Sequence, residues 1–340
     1  PFQAEDGIRD RQARLVGSEM CIRDRCRRAG ICDYGLRPDV EKLMGKILII
    51  GGTGLTGAHA ALYLRAQGHD VTIVSRSRPE LPVLHDFDHI AASYLDDSIT
   101  DAQLAGHDQL VFAAGADLRQ LPPEQDETSY YTRVNTEGIP AFFSRARDAG
   151  IGRAVYIGSY YPQVAPEAIE RSVYVRSRHL ADLAVRDLAD DTFRVCSLNA
   201  PFILGHVPGL YLPHVSPLVQ FARGKLQGVP LVAPGGGVNH ISSQSMSEAI
   251  AGALARGLPG HAYLVGDENL SWKAYLEMFF EAVGNPVDLP VSTDEHPLFP
   301  DIILYAGRNA TISYEPENGE LGYCRHRIRE TITELVSAYL

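Results

Sequence analysis

The chain has 340 residues, of which 45% are hydrophobic and 21% charged, and a formal net charge of −11. Residues 1–43 hold nine Lys and Arg against eight Asp and Glu, so the acidic excess lies wholly beyond them. An acidic surface argues against nucleic acid or an anionic membrane as the main partner, and no run of about 18 apolar residues is present to span a bilayer. Of five cysteines, Cys21, Cys26 and Cys32 fall in the first 43 residues. Cys196 and Cys324 remain, with neither metal spacing nor a disulfide framework, which fits a reducing, cytoplasmic setting.

The N-terminal residues read as something other than protein. Residues 3–10 back-translate to a short-read flow-cell adapter, and residues 15–24 to the transposase adapter joined to it in such libraries. Residues 3–24 therefore resemble translated sequencing reagent, and residues 26–43 show no hydrophobic period. The expectation is a non-native, disordered leader over 1–43 that adds nothing to the fold. The natural start is then Met44, with no room for a signal peptide. Residues 44–340 are enough for one large α/β domain with a smaller lobe.

Residues 47–50 are a continuous run of Ile and Leu, as in a strand buried on both faces. The run passes straight into Gly51-Gly-Thr-Gly-Leu-Thr-Gly57. Gly51, Gly54 and Gly57 let the backbone turn tightly and approach a pyrophosphate. A helix over about 58–67 would aim its N-terminal amides at that charge. Gly51, Thr53, Gly54, Leu55, Thr56 and Gly57 are accordingly candidate cofactor contacts. A glycine triplet alone is a weak signal; one placed between a buried strand and an amphipathic helix is specific.

A second strand is predicted over 71–75, and its end bears on cofactor choice. A site for NAD usually carries an acid there. Here the chain reads Ser75-Arg76-Ser77-Arg78, two arginines and two hydroxyls that suit a 2′-phosphate. NADP(H) is therefore favoured over NAD(H); the alternative is that Arg76 and Arg78 form a solvated loop. His85 and His89 stand as H-x-x-x-H in a Pro-rich loop without an evident third ligand, so no metal is expected.

A third strand is predicted over 89–94, a fourth over 109–113 and a fifth over 154–158. A helix over 127–148 precedes the fifth strand, with Pro140 kinking it. Another helix covers 173–188, and a sixth strand 193–198. Ser245 to Glu248 has the form of a capping box opening a helix to Arg256, ahead of a seventh strand over 261–265. Such alternation predicts an α/β fold with a doubly wound parallel sheet and ligand at the carboxyl ends of its strands. Residues 205–237 are rich in Pro, Gly and His and lack a regular period. An amphipathic helix is predicted over 270–283, a broken loop over 286–300 and a terminal helix over 328–339. The expected division is a nucleotide-binding domain over 44–204 and a substrate lobe over 205–340. That second part returns about 245–266 to the first as its last helix and strand. The aromatic residues of the lobe are expected in its core rather than on substrate.

With these motifs in place, the chain resembles the extended short-chain dehydrogenases/reductases, the NAD-dependent epimerase/dehydratase group, from Met44 to about Gly284. The family's T-G-x-x-G-x-x-G appears as Ile50 to Gly57, and its strand-four segment as Val111-Phe-Ala-Ala-Gly-Ala116. Its helix asparagine appears as Asn135 and its strand-five hydroxyl as Ser159. Its Y-x-x-x-K appears as Tyr174 to Arg178, and its strand-six segment as Leu198-Asn-Ala-Pro-Phe202. The resemblance implies further cofactor contacts from Ala113, Ala114, Gly115, Asn135, Ile157, Gly158, Pro201 and Phe202. Tyr94 and Leu95 stand where family members flank the adenine, without the usual aspartate.

The resemblance also implies that Tyr174 is the general acid/base, Ser159 the hydrogen-bond donor to the reacting oxygen, and Arg178 the cation beside the phenol. A phenol needs such a cation to work near neutral pH. Arg178 replaces the family's lysine. Beyond residue 43 the only lysines are Lys46, Lys225 and Lys273, none of them near strand five. A second Y-x-x-x-R, Tyr323 to Arg327, lies far down the terminal lobe, and the interval from Ser159 to Tyr174 is short for the family. Tyr174 as a merely structural tyrosine is the alternative.

Tyr160 and Tyr161 either line the substrate pocket or pack their loop, and Asn239 and His240 are placed facing the crevice. The leading expectation is an NADP-dependent reductase or dehydrogenase of a small carbonyl or alcohol, with a homodimer compatible with it. The runner-up is a nucleotide-sugar epimerase or dehydratase, with Arg308 and Arg325 the candidate cations for a diphosphate. A non-catalytic NADP-binding sensor is the third reading, kept open by Arg178.

Overall fold

The computed structural model describes residues 45–116 and 120–340; the leader expected over 1–43 lies outside the described residues. In chain order the strands are β1 (Lys46–Ile50), β2 (Asp70–Ser75), β3 (Asp88–Ala91), β4 (Gln109–Phe112), β5 (Arg153–Ser159) and β6 (Arg194–Ala200). They continue with β7 (Phe202–Leu204), β8 (Ala233–Pro234), β9 (Gly237–Ser242), β10 (Ala262–Leu264), β11 (Glu268–Ser271) and β12 (Val291–Ser292). Seven of them form one sheet in the order β10-β6-β5-β4-β1-β2-β3, with every pair parallel. The order reverses between β1 and β4, which opens a crevice at the carboxyl ends of these strands. All seven expected strands are present, and the α/β, doubly wound class is borne out.

Alternate residues of β1 serve opposite cores, as a period of two demands. Ile47 and Ile49 pack with Ala58, Ala61, Met246 and Ile250 from the helices Leu55–Ala66 and Ser243–Arg256. Leu48 and Ile50 pack with Phe142, Phe143, Ala181 and Val185 from the helices Gly138–Asp148 and Val173–Arg186. A third core gathers Trp272, Leu276 and Phe279 of the helix Trp272–Ala282 with Ile332 and Leu335 of the helix Ile328–Tyr339. The aromatic residues of the helix Trp272–Ala282 are core, as expected, whereas Tyr305 lines the cleft and Tyr211 is exposed. Beside it lie a three-stranded sheet, β11-β9-β7, and a two-stranded one, β12-β8. The stretch 205–237 is therefore less irregular than its composition suggested, and also carries the helix Val215–Ala222.

Two local expectations need correction. The helix over 127–148 is not one kinked helix. An α-turn, Glu127–Tyr131, passes into a π-helical stretch, Thr132–Glu137, before α-helix resumes at Gly138–Asp148. Pro140 has no N–H for the carbonyl four residues back and its ring crowds that carbonyl, so the hydrogen-bond register shifts just upstream. The capping box on Ser245 does not form. The helix begins at Ser243, and it is the Ser242 hydroxyl that accepts from the Ser245 N–H at 2.9 Å. Strand β9 runs out at Ser242, whose backbone is still extended, so the cap falls there. Glu248 is drawn elsewhere, to Arg327 at 3.2 Å and to the Cys324 N–H at 2.8 Å.

Among the described residues, no helix is long and apolar enough to cross a membrane.

Candidate active site

The glycine loop is shaped by two close approaches. Gly51 has φ +80°, and a Cβ there would lie 2.9 Å from the Ala113 carbonyl oxygen. At Gly57 a Cβ would lie 2.2 Å from the Gly51 carbonyl oxygen. Gly54 is the N-cap of the Leu55–Ala66 helix and offers no side-chain cap, and the first turn holds no acid. Its N–H groups are left for a ligand, and a helix N-terminus so arranged suits an anion. A dinucleotide pyrophosphate fits this cradle. Gly54, Leu55 and Thr56 border the cleft, whereas Gly51, Thr53 and Gly57 do not line it.

The cleft itself has a volume of about 670 Å³. Ala113, Ala114 and Gly115 enter it beyond β4, and Ile157, Gly158 and Ser159 at the end of β5. Tyr160 and Tyr161 follow Ser159 into the wall, and Pro201 and Phe202 enter beyond β6. Tyr174 and Arg178 reach the same cleft from the Val173–Arg186 helix, whose Ser172 cap accepts from the Val175 N–H. Spacing of four residues puts both side chains on one helix face.

Arg178 is buried and held at three points. Its Nε donates to the Tyr156 hydroxyl at 3.1 Å, its Nη2 to the Ile157 carbonyl at 2.7 Å and its Nη1 to the Tyr174 hydroxyl at 3.4 Å. Burial disfavours the guanidinium charge, but the two phenols more than offset this and hold its pKa above the ordinary value. The Tyr174 ring stacks on Tyr305 and meets Tyr131 edge-on. The arrangement sets a fixed cation against the half-buried Tyr174 hydroxyl, a group able to exchange a proton with a substrate hydroxyl or carbonyl.

Other sequence candidates lie elsewhere. Asn135, in the π-helical stretch, is fully buried and outside the cleft. Its carboxamide accepts from the Ala116 N–H and donates to the Ala116 carbonyl, both at 3.2 Å, and donates to the Ser177 hydroxyl at 3.0 Å. It ties the loop after β4 to the helix bearing Tyr174. The Tyr94 hydroxyl donates to the Val134 carbonyl at 3.0 Å, and its ring packs edge-on against Phe112; neither it nor Leu95 lines the cleft. The Ser75 hydroxyl donates to the Ser77 carbonyl at 2.7 Å and lies 2.9 Å from His89 Nε2. Arg76 and Arg78 are exposed at the end of β2.

Asn239 and His240, placed facing the crevice by the sequence, do not line it. Both are buried in β9, where Asn239 donates to the Asn269 side chain at 2.9 Å and His240 stacks on Tyr275 at 4.5 Å. Burial lowers the His240 pKa from 6.5 to about 3. The unfolded chain then takes a proton below pH 6.5 that the folded one refuses until about pH 3. This contribution to stability is present above pH 6.5 and lost as the pH falls toward 3. His240→Phe, which keeps the ring stack, should therefore flatten the fall of Tm between pH 6.5 and 4 relative to wild type; parallel Tm curves would refute this.

Sequence reasoning missed the far wall. Gln120, Leu210, Leu212, His214, Ile303 and Tyr305 line the cleft from segments with no period or motif to mark them. Asp267, Glu268 and His326 bring three possible ligand atoms within 4.8 Å of one another. The two carboxylates accept instead from the N–H groups of His326, Arg327 and Ile328, which open the terminal helix.

The sequence matches the model of the NAD dependent epimerase/dehydratase family over residues 47–266. No curated protein matches it. Among solved structures, gox2253 superposes with a TM-score of 0.71 at 18% identity, covering 86% of this chain and 97% of that one. The Bordetella bronchiseptica enzyme WbmG, in complex with NAD and UDP, gives 0.67 at 18% identity over 89% and 96% of the two chains. UDP-N-acetylglucosamine 4-epimerase from Bacillus cereus gives 0.66 at 13% identity over 87% and 99%. Identities this low establish a shared fold. The family match runs from β1 past β10, so it takes in the glycine loop, the seven-stranded sheet and the helix bearing Tyr174 and Arg178. On that span the chain belongs to the NAD dependent epimerase/dehydratase family of enzymes.

Proposed function

We propose that the protein moves hydride between NAD(P) and a hydroxyl-bearing carbon, with Tyr174 exchanging the hydroxyl proton. The observation that carries this reading is that Ser159, Tyr174 and Arg178 share one cleft with the open N-terminus of the glycine-loop helix. When bound, the nicotinamide supplies the hydride acceptor or donor. Gly54, Leu55 and Thr56 would hold the pyrophosphate, and the Ser159 hydroxyl would donate to the reacting oxygen as charge gathers there. Arg178 would hold the Tyr174 hydroxyl in place through its Nη1 donor.

For the substrate, a nucleotide sugar undergoing epimerisation or dehydration has the better support from comparison. The neighbours include a UDP-sugar epimerase and an enzyme bound to NAD and UDP. The small carbonyl or alcohol expected from the sequence remains as a second reading, favoured by one observation. Arg308 forks onto Asp301 and Arg325 pairs with Glu315, and neither candidate cation lines the cleft. A screen of nucleotide sugars and carbonyls with each cofactor tests the reading. Turnover of either class supports hydride transfer, whereas tight NADPH binding with no turnover of any member supports the sensor instead.

The cofactor itself is proposed to be NADP(H). Arg76 and Arg78 are exposed just beyond β2, where a site for NAD usually carries an acid, and Ser75 to Arg78 holds none. Each charge-assisted contact is worth about 1.5–3 kcal/mol. Arg76→Asp should therefore weaken NADPH binding roughly tenfold or more and leave NADH nearly unchanged. Equal affinity of the wild type for both cofactors would overturn the assignment.

A further inference from the structure

The wall of the cleft around Tyr174 is apolar and ring-lined. Tyr305 stacks on Tyr174 with ring centres 5.1 Å apart and planes 28° apart, and stands edge-on to Tyr161 at 5.1 Å. Tyr160 packs on Tyr161 at 4.4 Å. Leu210, Leu212 and Ile303 extend this surface. Among the described lining residues, Arg178 carries the one guanidinium or ammonium group, and no carboxylate is present. Three donors of that guanidinium are already engaged by Tyr156, Ile157 and Tyr174. Arg308, which follows the Ile303–Tyr305 wall in sequence, is forked onto Asp301 and also faces Glu295 at 3.8 Å. Seated against the described residues of this wall, a diphosphate would give up its hydration for no counter-charge beyond the engaged Arg178 and the His214 imidazole, which is costly.

Apolar lining of this kind marks a site for an apolar ligand.

We propose that the substrate is a secondary alcohol or ketone bearing an apolar ring, which seats on Tyr305 beside Leu210, Leu212 and Ile303. The inference rests on the hydride-transfer reading and narrows the second of its two substrate classes. NADP⁺, when bound, would supply the hydride acceptor for the carbinol carbon, and Tyr174, as base, would take the hydroxyl proton as the carbon–oxygen double bond forms.

The test is calorimetric titration of the full chain, saturated with NADP⁺, with 4-phenylbutan-2-one, butan-2-one and UDP. The phenyl ketone should bind at least about tenfold tighter than butanone, because only it buries a ring against the tyrosine wall, and UDP should not displace it. Tyr305→Ala should abolish most of that preference and Tyr305→Phe should retain it. Equal affinities for the two ketones, no binding of either, or displacement by UDP would each overturn the proposal. A phenyl ketone that binds as expected yet leaves NADPH unconsumed would remove the hydride-transfer reading while the ligand class stands.

Discussion

Tyr174→Phe is expected to lower kcat by at least about 10²-fold, the usual worth of a positioned proton donor, with NADPH affinity nearly unchanged. The substitution removes one oxygen and keeps the ring. The stack on Tyr305 and the edge contact with Tyr131 should survive, so a change in turnover would report chemistry rather than packing. Arg178 would lose one of three partners, the longest at 3.4 Å, and stay anchored by Tyr156 and Ile157. Steady-state kinetics on a substrate found by screening, together with NADPH fluorescence titration, check both halves of the expectation. Undiminished turnover would remove Tyr174 from the proton-transfer role.

Arg178→Ala should damage turnover, cofactor binding and stability together. It leaves the Tyr156 hydroxyl and the Ile157 carbonyl without the donor they have now, deep in the sheet. Each buried group so orphaned costs about 1–3 kcal/mol, which should appear as a Tm several degrees lower. Arg178→Lys is the sharper probe. Sequence pattern alone suggests that restoring the family's lysine would preserve or raise activity. The geometry points the other way: a planar fork spans three acceptors from three separate atoms, and a single ammonium centre cannot occupy all three positions. The lysine variant should therefore fall between alanine and wild type, with turnover down about tenfold if one anchoring contact is lost. A lysine variant as active and as stable as wild type would show that the arginine is only a substituted lysine.

The cleft joins residues whose signals differ in range. The glycine loop is legible because its constraint is local: an apolar strand, a turn that excludes a Cβ and a helix start succeed one another within a short span of chain. Tyr174 and Arg178 are legible for the same reason, since spacing of four sets a shared helix face whatever surrounds it. Asn135 carried a motif signal, but its partners are Ala116 and Ser177, and only folding shows that it splints the site rather than lining it. His240 looked poised beside a helix start, yet β9 turns it onto Tyr275.

Taken by itself, the amino-acid sequence determined the elements whose cause lies within a turn or a strand. These are the places of the seven strands, the phosphate-binding turn, and the tyrosine–arginine pair on one helix. The tertiary structure alone decided which side chains face the substrate and which are spent elsewhere. Tyr305 reaches Tyr174 from a distant segment of the chain, Arg308 is neutralised by Asp301, and Arg178 finds Tyr156 on a neighbouring strand. Such choices follow from packing and charge pairing between segments far apart in sequence, where burial is settled by what arrives on the other side. No period or spacing along the chain records that arrival.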